Sequence, residues 1–567
     1  MIDAGLAPFR DASDARAYQA TPIAARLQGA DLPELLARVA RARPEAVAIR
    51  FLADAQAVPR DTTFAELDRQ VIAFAAALRR RGVQENDGVV LLAPNLPQTA
   101  AACLGAMRVA RAVPVNHYLP AAELAQLVRG AGGKVLVTST AQPGVLDADK
   151  LRALLALCPG LQVVLLEGEP VDGALAFDAF CAQATAQDLR ACRTPAPADR
   201  TCAVFHTGGT TGLPKFVPLT PSRFATAAVF SAFGYGYRPA DTVLCAMPLF
   251  HVGGLLACTL FPLCAGARVL MLHPLGYRGP QVLDTTWAVC ARERVSVVVG
   301  PPTAVGRLAQ LDAPTQTALR IIVNGAAALP GAAADRLRER FGVMVTEPWG
   351  LTEATLAVTS QPRDGVRRAG SVGLALPYCE VKAVRTDADG RELGDCPAGE
   401  AGVLAIRGPS VFAGYLGAVR QPWFAGGWLD TGDLGWVDGE GFVHVTGRAK
   451  DVIKRGGHGI DPAVIEEALY RHPAVAHAAA IGRPDAHAGE VPVVYVQLKP
   501  GAEAHEDELL QFAAGHIAER AAVPRRSTGC LRCRSRPWAR STSRRCGWTP
   551  RGGRSSRRWR RPASMRA

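Results

Sequence analysis

The residues with the clearest chemical potential form the string His206-Thr-Gly-Gly-Thr-Thr-Gly-Leu-Pro-Lys215, directly after the apolar run CAVF. Three Gly and three Thr supply backbone N–H groups and hydroxyls that can surround phosphate oxygens, and Lys215 adds a positive charge. Pro214 rather than Gly precedes the Lys, so the string is not a Walker A loop. The spacing therefore predicts a phosphate-binding loop of another kind.

Four later segments combine small residues with single carboxylates or cations. They are Asn324-Gly-Ala-Ala-Ala-Leu-Pro330, Glu347-Pro-Trp-Gly-Leu-Thr-Glu353, Gly427-Trp-Leu-Asp-Thr-Gly-Asp433 and Thr446-Gly-Arg-Ala-Lys-Asp-Val-Ile-Lys-Arg-Gly-Gly457. A carboxylate such as Glu353 is a ligand that Mg²⁺ prefers. Each residue type also has a structural explanation, because Trp349 can be a core residue, Glu353 a helix cap and Asp433 a turn residue.

Taken in order, the five segments resemble the motifs of the adenylate-forming superfamily, which comprises acyl-CoA synthetases, luciferases and peptide-synthetase adenylation domains. The resemblance extends over about residues 30–520. The resemblance implies that His251, in PLFHVGG, lies near the acyl pocket and thiol tunnel; a buried structural His is the alternative. It implies catalytic roles for Lys215, Thr352 and Glu353, with Glu353 also holding Mg²⁺.

The resemblance further implies which residues bind the nucleotide and the thiol. Trp349 would lie against adenine, Asp433 and Arg448 would bind the ribose, and Lys450 would be the hinge between two domains. The other residues implied to contact ATP or coenzyme A are Thr207, Gly208, Gly209, Thr210, Thr211, Gly212, Ala326, Ala327, Glu347, Gly350, Gly456 and Gly457.

The implied chemistry has two steps. A carboxylate attacks the α-phosphate of ATP to give an acyl-adenylate and pyrophosphate, and the thiol of coenzyme A then displaces AMP. Catalysis of this kind depends on positioning and charge neutralisation. The family also supplies one Lys from its small C-terminal domain, in a pattern like Pro-Leu-Thr-x-x-Gly-Lys.

That Lys is missing, since no Lys follows Lys499. After Pro524 the sequence becomes rich in Arg, Ser, Trp and Cys. Reading the codons two bases later from Arg532 through Ser541 permits Leu-Pro-Leu-Thr-Ala-Val-Gly-Lys-Ile, and the Gly is forced by the codons of Trp538 and Ala539. We therefore expect a frameshift near residues 524–527, real or a sequence error, and impaired adenylation in the chain as written.

The same tail explains the charge of the chain. The 567 residues carry a net charge of +13, but 15 of the 64 Lys and Arg lie in residues 525–567, which contain no Asp or Glu. The remaining 49 basic residues nearly balance the 51 acidic ones and leave a net charge of −2. The basic character therefore gives no evidence that the folded part binds nucleic acid. The tail lacks the apolar content to fold, and we expect it to be disordered.

Short Val/Ile/Leu runs alternate with helical Ala/Leu/Arg stretches through the first two thirds of the chain. This pattern predicts parallel sheets covered by helices on both faces. We therefore expect an α/β protein with a large N-terminal domain of layered parallel sheets (1–447), of which about 370–447 is a β-rich subdomain. A small mobile α+β domain follows (448–524, truncated), and then the Arg-rich tail (525–567).

The remaining features predict a cytoplasmic protein, a monomer or homodimer, that takes only small-molecule partners. Most of the 14 Cys stand alone in apolar runs, as in a reduced compartment. The N-terminus has no signal peptide, and residues 242–267, although uncharged, fit a buried strand, loop and helix better than a membrane span.

Several functions remain open from the sequence. The first is an acyl-CoA synthetase, and the others are an enzyme that loads a carrier protein, a luciferase-like oxygenase, an inactive adenylate-binding remnant and nucleic-acid binding through the tail. The acyl pocket should draw on residues 251–256, 300–303 and 324–328, which are small and apolar. That composition favours an acid with an uncharged tail, fatty or aromatic.

Overall fold

The computed structural model describes most of the chain. The described residues are 2, 4–207, 215–314, 317–387, 389–417, 422–455, 458–485, 487–499, 501–517, 522–524 and 526–527. They divide into two compact units. Unit 1 contains the described residues of 1–381, 406–429 and 438–443, and unit 2 contains those of 382–405, 430–437 and 444–527.

The helices are distributed over both units. In chain order, the described α-helices α1 to α16 are Ala12–Gln19, Ile23–Leu27, Leu32–Ala42, Phe64–Arg80, Pro97–Val109, Ala121–Gly130, Ala148–Leu157, Phe177–Cys181, Ala186–Ala191, Pro221–Tyr235, Phe261–Cys264, Val282–Arg292, Pro302–Leu308, Gly331–Phe341, Pro462–Tyr470 and Glu506–His516. A π-helix covers Gly253–Leu260, and short 3₁₀ turns cover Ala4–Leu6, Gly276–Arg278, Thr352–Ala354 and Ala425–Gly427.

The described strands β1 to β27 follow the same alternation with helices through the first 350 residues. They are Val47–Leu52, Arg60–Thr63, Gly88–Leu92, Arg111–Pro114, Gly133–Thr138, Gln162–Leu165, Ala174–Ala176, Ala203–Thr207, Lys215–Leu219, Thr242–Cys245, Arg268–Leu272, Val297–Gly300, Ile321–Asn324, Met344–Thr346, Thr359–Ser360, Gly373–Ala375, Glu380–Thr386, Glu392–Asp395, Gly402–Arg407, Trp423–Phe424, Trp428–Val437, Phe442–Arg448, Ile453–Arg455, His458–Ile460, Val475–Asp485, Gly489–Leu498 and Arg526–Ser527.

Unit 1 contains two seven-stranded sheets that are parallel except at one edge. The first, sheet A, has the order β14-β13-β12-β10-β11-β1-β2, and the second, sheet B, has the order β7-β6-β5-β3-β4-β8-β9. Strands β2 and β9 are the antiparallel edge strands. The central strands β3, β10, β12 and β13 are buried along their whole length, as continuous apolar runs covered on both faces require.

Helices α4 and α5 lie between the two sheets. Helix α4 contacts β1 and β2 of sheet A, α5 contacts β3 and β4 of sheet B, and the two helices pack against each other. A capping box of Thr63 and Glu66 starts α4. The helices approach closely at Gly105, where a Cβ would lie 2.8 Å from the backbone oxygen of Val71, so only Gly fits there.

The rest of unit 1 contributes antiparallel pairs, in which β15 pairs with β16 and the first residues of β22 pair with β16. In unit 2, β17 pairs with β18 in an antiparallel hairpin.

The C-terminal part of unit 2 is a sheet of order β24-β23-β26-β25, with β27 beside β26. Its core includes Ile453, Ile465, Leu469 and Val494.

The predicted fold class, an α/β protein with layered parallel sheets, a β-rich part and a small α+β part, is confirmed.

The uncharged stretch 242–267 folds as strand β10, a turn, the π-helix and α11. Among the described residues no helix combines the length and the apolar character needed to cross a bilayer.

Candidate active site

Most of the predicted site residues follow the carboxyl ends of parallel strands. In sheet A, His251 follows β10, Ala326 and Ala327 follow β13, and the segment from Glu347 to Glu353 follows β14. Because these strands are parallel, their carboxyl ends lie at one edge of the sheet, which is where open α/β sheets bind ligands. The fold therefore places the segments after β10, β13 and β14 along one edge.

The two ends of the predicted phosphate loop are held in register. Strand β8 ends at Thr207 and β9 begins at Lys215, and these two residues face each other in an antiparallel pair. Behind them, Nε2 of His206 accepts a hydrogen bond of 3.3 Å from the N–H of Asn116, and burial lowers the pKa of His206 to about 4. His206 is therefore neutral and supports the strand end rather than adding charge.

Several predicted residues lie outside the described part of the chain. They are Gly208, Gly209, Thr210, Thr211, Gly212, Gly456 and Gly457, together with residue 525 and residues 528–567 of the tail.

Lys215 and Glu353 both contact the side chain of Tyr415. The Tyr415 hydroxyl donates a 2.7 Å hydrogen bond to Oε1 of Glu353, and Nζ of Lys215 lies 4.7 Å from the centre of the Tyr415 ring. The Glu353 residue is 9% exposed and sits in the 3₁₀ turn Thr352–Ala354. Thr352 is half-buried beside it. A cation and a carboxylate from two separate motifs are thus brought to one aromatic side chain.

The chemistry of this arrangement fits Mg²⁺. The ion usually takes one or two carboxylates and completes its octahedron with water and substrate phosphates. Glu353 supplies one such carboxylate, with Oε1 oriented by Tyr415. Among the described residues no cluster of three or more His, Cys, Asp or Glu forms a protein-only metal cage. Glu353 is the residue that would hold the ion.

The exposed turn after β13 is held by two polar side chains, the buried Asn324 and the half-buried Glu347. Oε2 of Glu347 accepts hydrogen bonds from the N–H of Leu329 at 2.6 Å and from Nδ2 of Asn324 at 3.1 Å. Nδ2 of Asn324 also donates to the backbone oxygen of Ala327 at 2.8 Å. Burial raises the pKa of Glu347. Ala326 adopts a left-handed conformation with a φ of +79°, which is strained for a residue other than Gly, and it is exposed.

Trp349 and Gly350 form the start of the adjacent segment. Trp349 is 8% exposed, and its N–H donates to Oγ1 of Thr359 at 3.2 Å. Gly350 is exposed and bridges to Ala357, where a Cβ would lie 1.9 Å from the backbone oxygen of Leu356. The close approach requires Gly and sets the path of the chain toward Thr352 and Glu353.

In unit 2, Asp433 and Arg448 form an ion pair, with 2.8 Å between Oδ1 and Nε. Asp433 is 5% exposed, and its N–H donates to Oγ1 of Thr431. The N–H of Ala449 donates to the backbone oxygen of Gly432 at 3.0 Å. These contacts bring together the two residues predicted to bind ribose. Lys450, the predicted hinge residue, follows in an exposed turn.

His251 lies in an aromatic group after β10. Its ring centre is 4.5 Å from that of Phe250, and Phe250 contacts His117 at 4.9 Å in an edge-to-face pair. His117 is 1% exposed, and burial lowers its pKa to about 3. His117 is therefore a neutral packing residue that supports the loop of His251.

Sequence reasoning did not single out Tyr415, Asn324 or His117. Asn324 lies within a motif, but its two hydrogen bonds depend on the fold. Tyr415 is 62 residues from its partner Glu353, and nothing in the spacing of FAGYLG marks it.

Comparison with known protein families finds two matching family models. The family model described as AMP-binding enzyme matches residues 36–416, and the AMP-binding enzyme C-terminal domain matches residues 464–528. The chain belongs to the AMP-binding enzyme family. The predicted class, an AMP-forming acid–thiol ligase, is also confirmed.

Individual relatives cover most of the chain. The marinolic acid–CoA ligase of Pseudoalteromonas sp. is 32% identical over 91% of this chain and 80% of its own length. The ATP-bound structure of MatB from Rhodopseudomonas palustris is 26% identical, covers 89% of this chain and 95% of that chain, and has a TM-score of 0.76. The o-succinylbenzoate coenzyme A synthetase MenE from Bacillus subtilis, in complex with ATP and a magnesium ion, is 26% identical, covers 88% and 96%, and has a TM-score of 0.71.

Proposed function

We propose that this protein activates a carboxylic acid in two steps. The acid attacks the α-phosphate of ATP, forming an acyl-adenylate and releasing pyrophosphate, and the thiol of coenzyme A then displaces AMP to give a thioester. The observation that supports this most directly is the contact of Lys215 and Glu353 with one side chain, Tyr415, beside the flanks of the phosphate loop. An ammonium and a carboxylate so placed suit a triphosphate and its metal ion.

In the first step the residues of unit 1 act by positioning and charge neutralisation. Lys215 and Thr352 would contact phosphate oxygens, and the loop of Thr207 and residues 208–212 would surround them. Glu353 would hold Mg²⁺, which when bound withdraws charge from the phosphates. The turn of Ala326 and Ala327, supported by Glu347, would face the adenine and the acyl group, with Trp349 and Gly350 beside it.

Asp433 and Arg448 of unit 2 are proposed to bind the ribose hydroxyls. A carboxylate accepts hydrogen bonds from hydroxyl groups, and the guanidinium of Arg448 holds that carboxylate in place. Lys450, two residues after Arg448, is proposed as the hinge. A rotation there would bring residues 456–457 to the thiol in the second step.

We further propose the domain limits 1–447 for the large domain, with about 370–447 as its β-rich part, and 448–524 for the small one.

The acyl group is proposed to lie against residues 251–256, 300–303 and 324–328. Residues 254–260 of the π-helix are buried and apolar except for Thr259, which supports an uncharged acyl tail, fatty or aromatic. A relative named for marinolic acid supports a carboxylic acid as the substrate.

The experiment is a panel of carboxylic acids, comprising straight-chain fatty, aromatic and dicarboxylic acids. Acid-dependent ATP–pyrophosphate exchange reports the first step, and AMP release from supplied acyl-adenylate plus coenzyme A reports the second. We expect at least one monocarboxylic acid to support thioester formation. Thioester formation with a carrier protein but not with coenzyme A would contradict the proposal. A failure of every supplied acyl-adenylate to react would contradict it as well.

Two variants and a control locate the activity. We expect Lys215→Ala and Glu353→Gln to lower nucleotide binding or exchange by at least about tenfold, as loss of a charged contact does. Lys134→Ala is the matched control, because Lys134 is a surface Lys that pairs with Asp87 at 3.1 Å and lies outside the site. Its activity should equal that of the unchanged chain.

A further inference from the structure

The segment that carries Tyr415 is fixed to both parts of the phosphate site by backbone hydrogen bonds. The N–H of Leu416 donates to the backbone oxygen of Phe216 at 3.0 Å, next to Lys215. The N–H of Phe412 donates to the backbone oxygen of Glu353 at 2.7 Å. The five residues from 412 to 416 therefore span from the start of β9 to the turn of Glu353.

The side chain of Tyr415 makes two different contacts from this position. Its hydroxyl is a hydrogen-bond donor to Oε1 of Glu353, and its ring face meets the ammonium of Lys215. The ring also packs edge-to-face against Phe412, with 4.9 Å between ring centres. One rigid side chain with two torsions thus fixes the place of both charged groups.

The two charged groups contact Tyr415 rather than each other. Among the ion pairs of the described residues, none within 4.0 Å joins Lys215 to Glu353. A direct pair would occupy the donors that phosphate needs and the oxygen that a metal ion needs. Tyr415 contacts both groups without pairing them, because the ammonium meets the ring face and the hydroxyl donates to Oε1 of Glu353.

We propose that Tyr415 is a positioning residue that couples Mg²⁺ binding at Glu353 to phosphate binding at Lys215. This inference rests on the proposed function. Tyr415 holds the Glu353 carboxylate in the orientation that receives the ion, and it holds Lys215 where the phosphates of the same nucleotide arrive. The predicted consequence is that Mg²⁺ and ATP each tighten the binding of the other, which is a reciprocal coupling between two sites.

The test measures ATP binding to the full chain by titration calorimetry, with Mg²⁺ and with EDTA. We expect Tyr415→Phe, which keeps the ring but removes the hydroxyl, to reduce the Mg²⁺-dependent gain in ATP affinity by about tenfold while changing the metal-free affinity less than twofold. Tyr415→Leu removes the ring as well, and we expect it to weaken metal-free ATP binding too.

A double-mutant cycle separates positioning through Glu353 from a general structural effect. In a Glu353→Gln background, Tyr415→Phe should cause no further loss of Mg²⁺ coupling, because the carboxylate on which the hydroxyl acts is gone. Tyr378→Phe is the matched control. The Tyr378 hydroxyl donates to the backbone oxygen of Thr21 at 2.6 Å. Removal of the Tyr378 hydroxyl should leave the coupling between Mg²⁺ and ATP unchanged.

The outcomes distinguish this inference from the proposed function. If the unchanged chain binds ATP with no dependence on Mg²⁺, the proposed function fails and the role of Tyr415 fails with it. If the unchanged chain shows the coupling and Tyr415→Phe retains it fully, only the role of Tyr415 is wrong. An equal loss from Tyr415→Phe in both backgrounds would likewise show that Tyr415 acts on the fold and not through Glu353.

Discussion

Nε of Arg448 lies 2.8 Å from Oδ1 of Asp433, so two residues from separate sequence motifs form one ion pair. The Asp433 side chain is 7% exposed and the Arg448 side chain 30% exposed. The guanidinium therefore orients a nearly buried carboxylate. The neighbouring guanidinium offsets part of the cost of placing a carboxylate at a position sheltered from water.

The first prediction concerns this pair. Asp433→Asn keeps the shape of the side chain but removes its charge, and we expect ATP affinity to fall by at least about tenfold, since hydrogen bonds to charged groups contribute about 1.5–3 kcal/mol. The unchanged chain should also prefer ATP to 2′-deoxy-ATP, and the variant should lose most of that preference. Calorimetric titration with both nucleotides measures this. An undiminished preference for the ribose hydroxyl in the variant would contradict the role of Asp433.

The second prediction concerns the support of the turn after β13. Glu347→Ala leaves the N–H of Leu329 and Nδ2 of Asn324 without their shared acceptor, and we expect a loss of about 2 kcal/mol in the free energy of unfolding. Glu347→Gln keeps one acceptor oxygen and should cost less than about 1 kcal/mol. Denaturant unfolding of both variants gives the two values, and equal losses would show that the acceptor is not what matters.

A third prediction follows from the raised pKa of Glu347. Burial raises its pKa above the ordinary value of 4.5 in the folded state, so the folded protein binds more protons than the unfolded chain above that pH. The contribution of Glu347 to stability is therefore present below about pH 4.5 and declines as the pH rises toward the folded pKa. The unfolding free energy of the unchanged chain, relative to Glu347→Gln, should fall with pH across this window. A flat or rising difference would contradict the assignment.

Much of this arrangement was predictable from local sequence. Continuous Val and Ile runs predicted the buried parallel strands of sheets A and B, because such runs satisfy both covered faces. The resemblance of the motifs predicted catalytic roles for Lys215 and Glu353, and the structure brings both residues into contact with Tyr415. The pairing of Thr207 with Lys215 also follows from a short loop between two strands.

The contacts between distant segments were not predictable in this way. Tyr415 meets Glu353 across 62 residues, and Glu347 meets Asn324 across 23, so neither pair has a periodic signature. The same holds for Asp241 and Arg320, which are 79 residues apart. Glu347 and Asn324, like Asp241 and Arg320, meet because parallel strands bring their ends together, and that depends on strand order, which composition does not specify.

The fourth prediction uses the Asp241–Arg320 pair as a test of stability away from the site. Asp241 is 5% exposed, and its two carboxylate oxygens accept from Nε and Nη2 of Arg320, from Oγ of Ser296 and from the N–H of Arg238. Asp241→Ala leaves a partly buried guanidinium unpaired, and we expect it to cost about 3–5 kcal/mol of unfolding free energy. Denaturant midpoints measure the loss. The calorimetric ATP affinity of the folded fraction should be unchanged, and a parallel loss of ATP affinity would show that this network supports the site after all.

The fifth prediction addresses the missing C-terminal Lys. The variant has its frame restored after residue 524 and carries Leu-Pro-Leu-Thr-Ala-Val-Gly-Lys-Ile. We expect it to adenylate at least about a hundredfold faster than the chain as written, because one cation placed on the reacting phosphate contributes about 2.7–4 kcal/mol. Thioester formation from supplied acyl-adenylate should differ by less than about threefold, since AMP rather than pyrophosphate leaves in that step. Pyrophosphate exchange and AMP release measure the two half-reactions. The control is the restored chain with that Lys replaced by Ala, which should return to the low exchange rate. Equal rates for both half-reactions in the restored chain and the chain as written would show that the Lys is dispensable. Lys215, Glu353 and their partners would then suffice for adenylation.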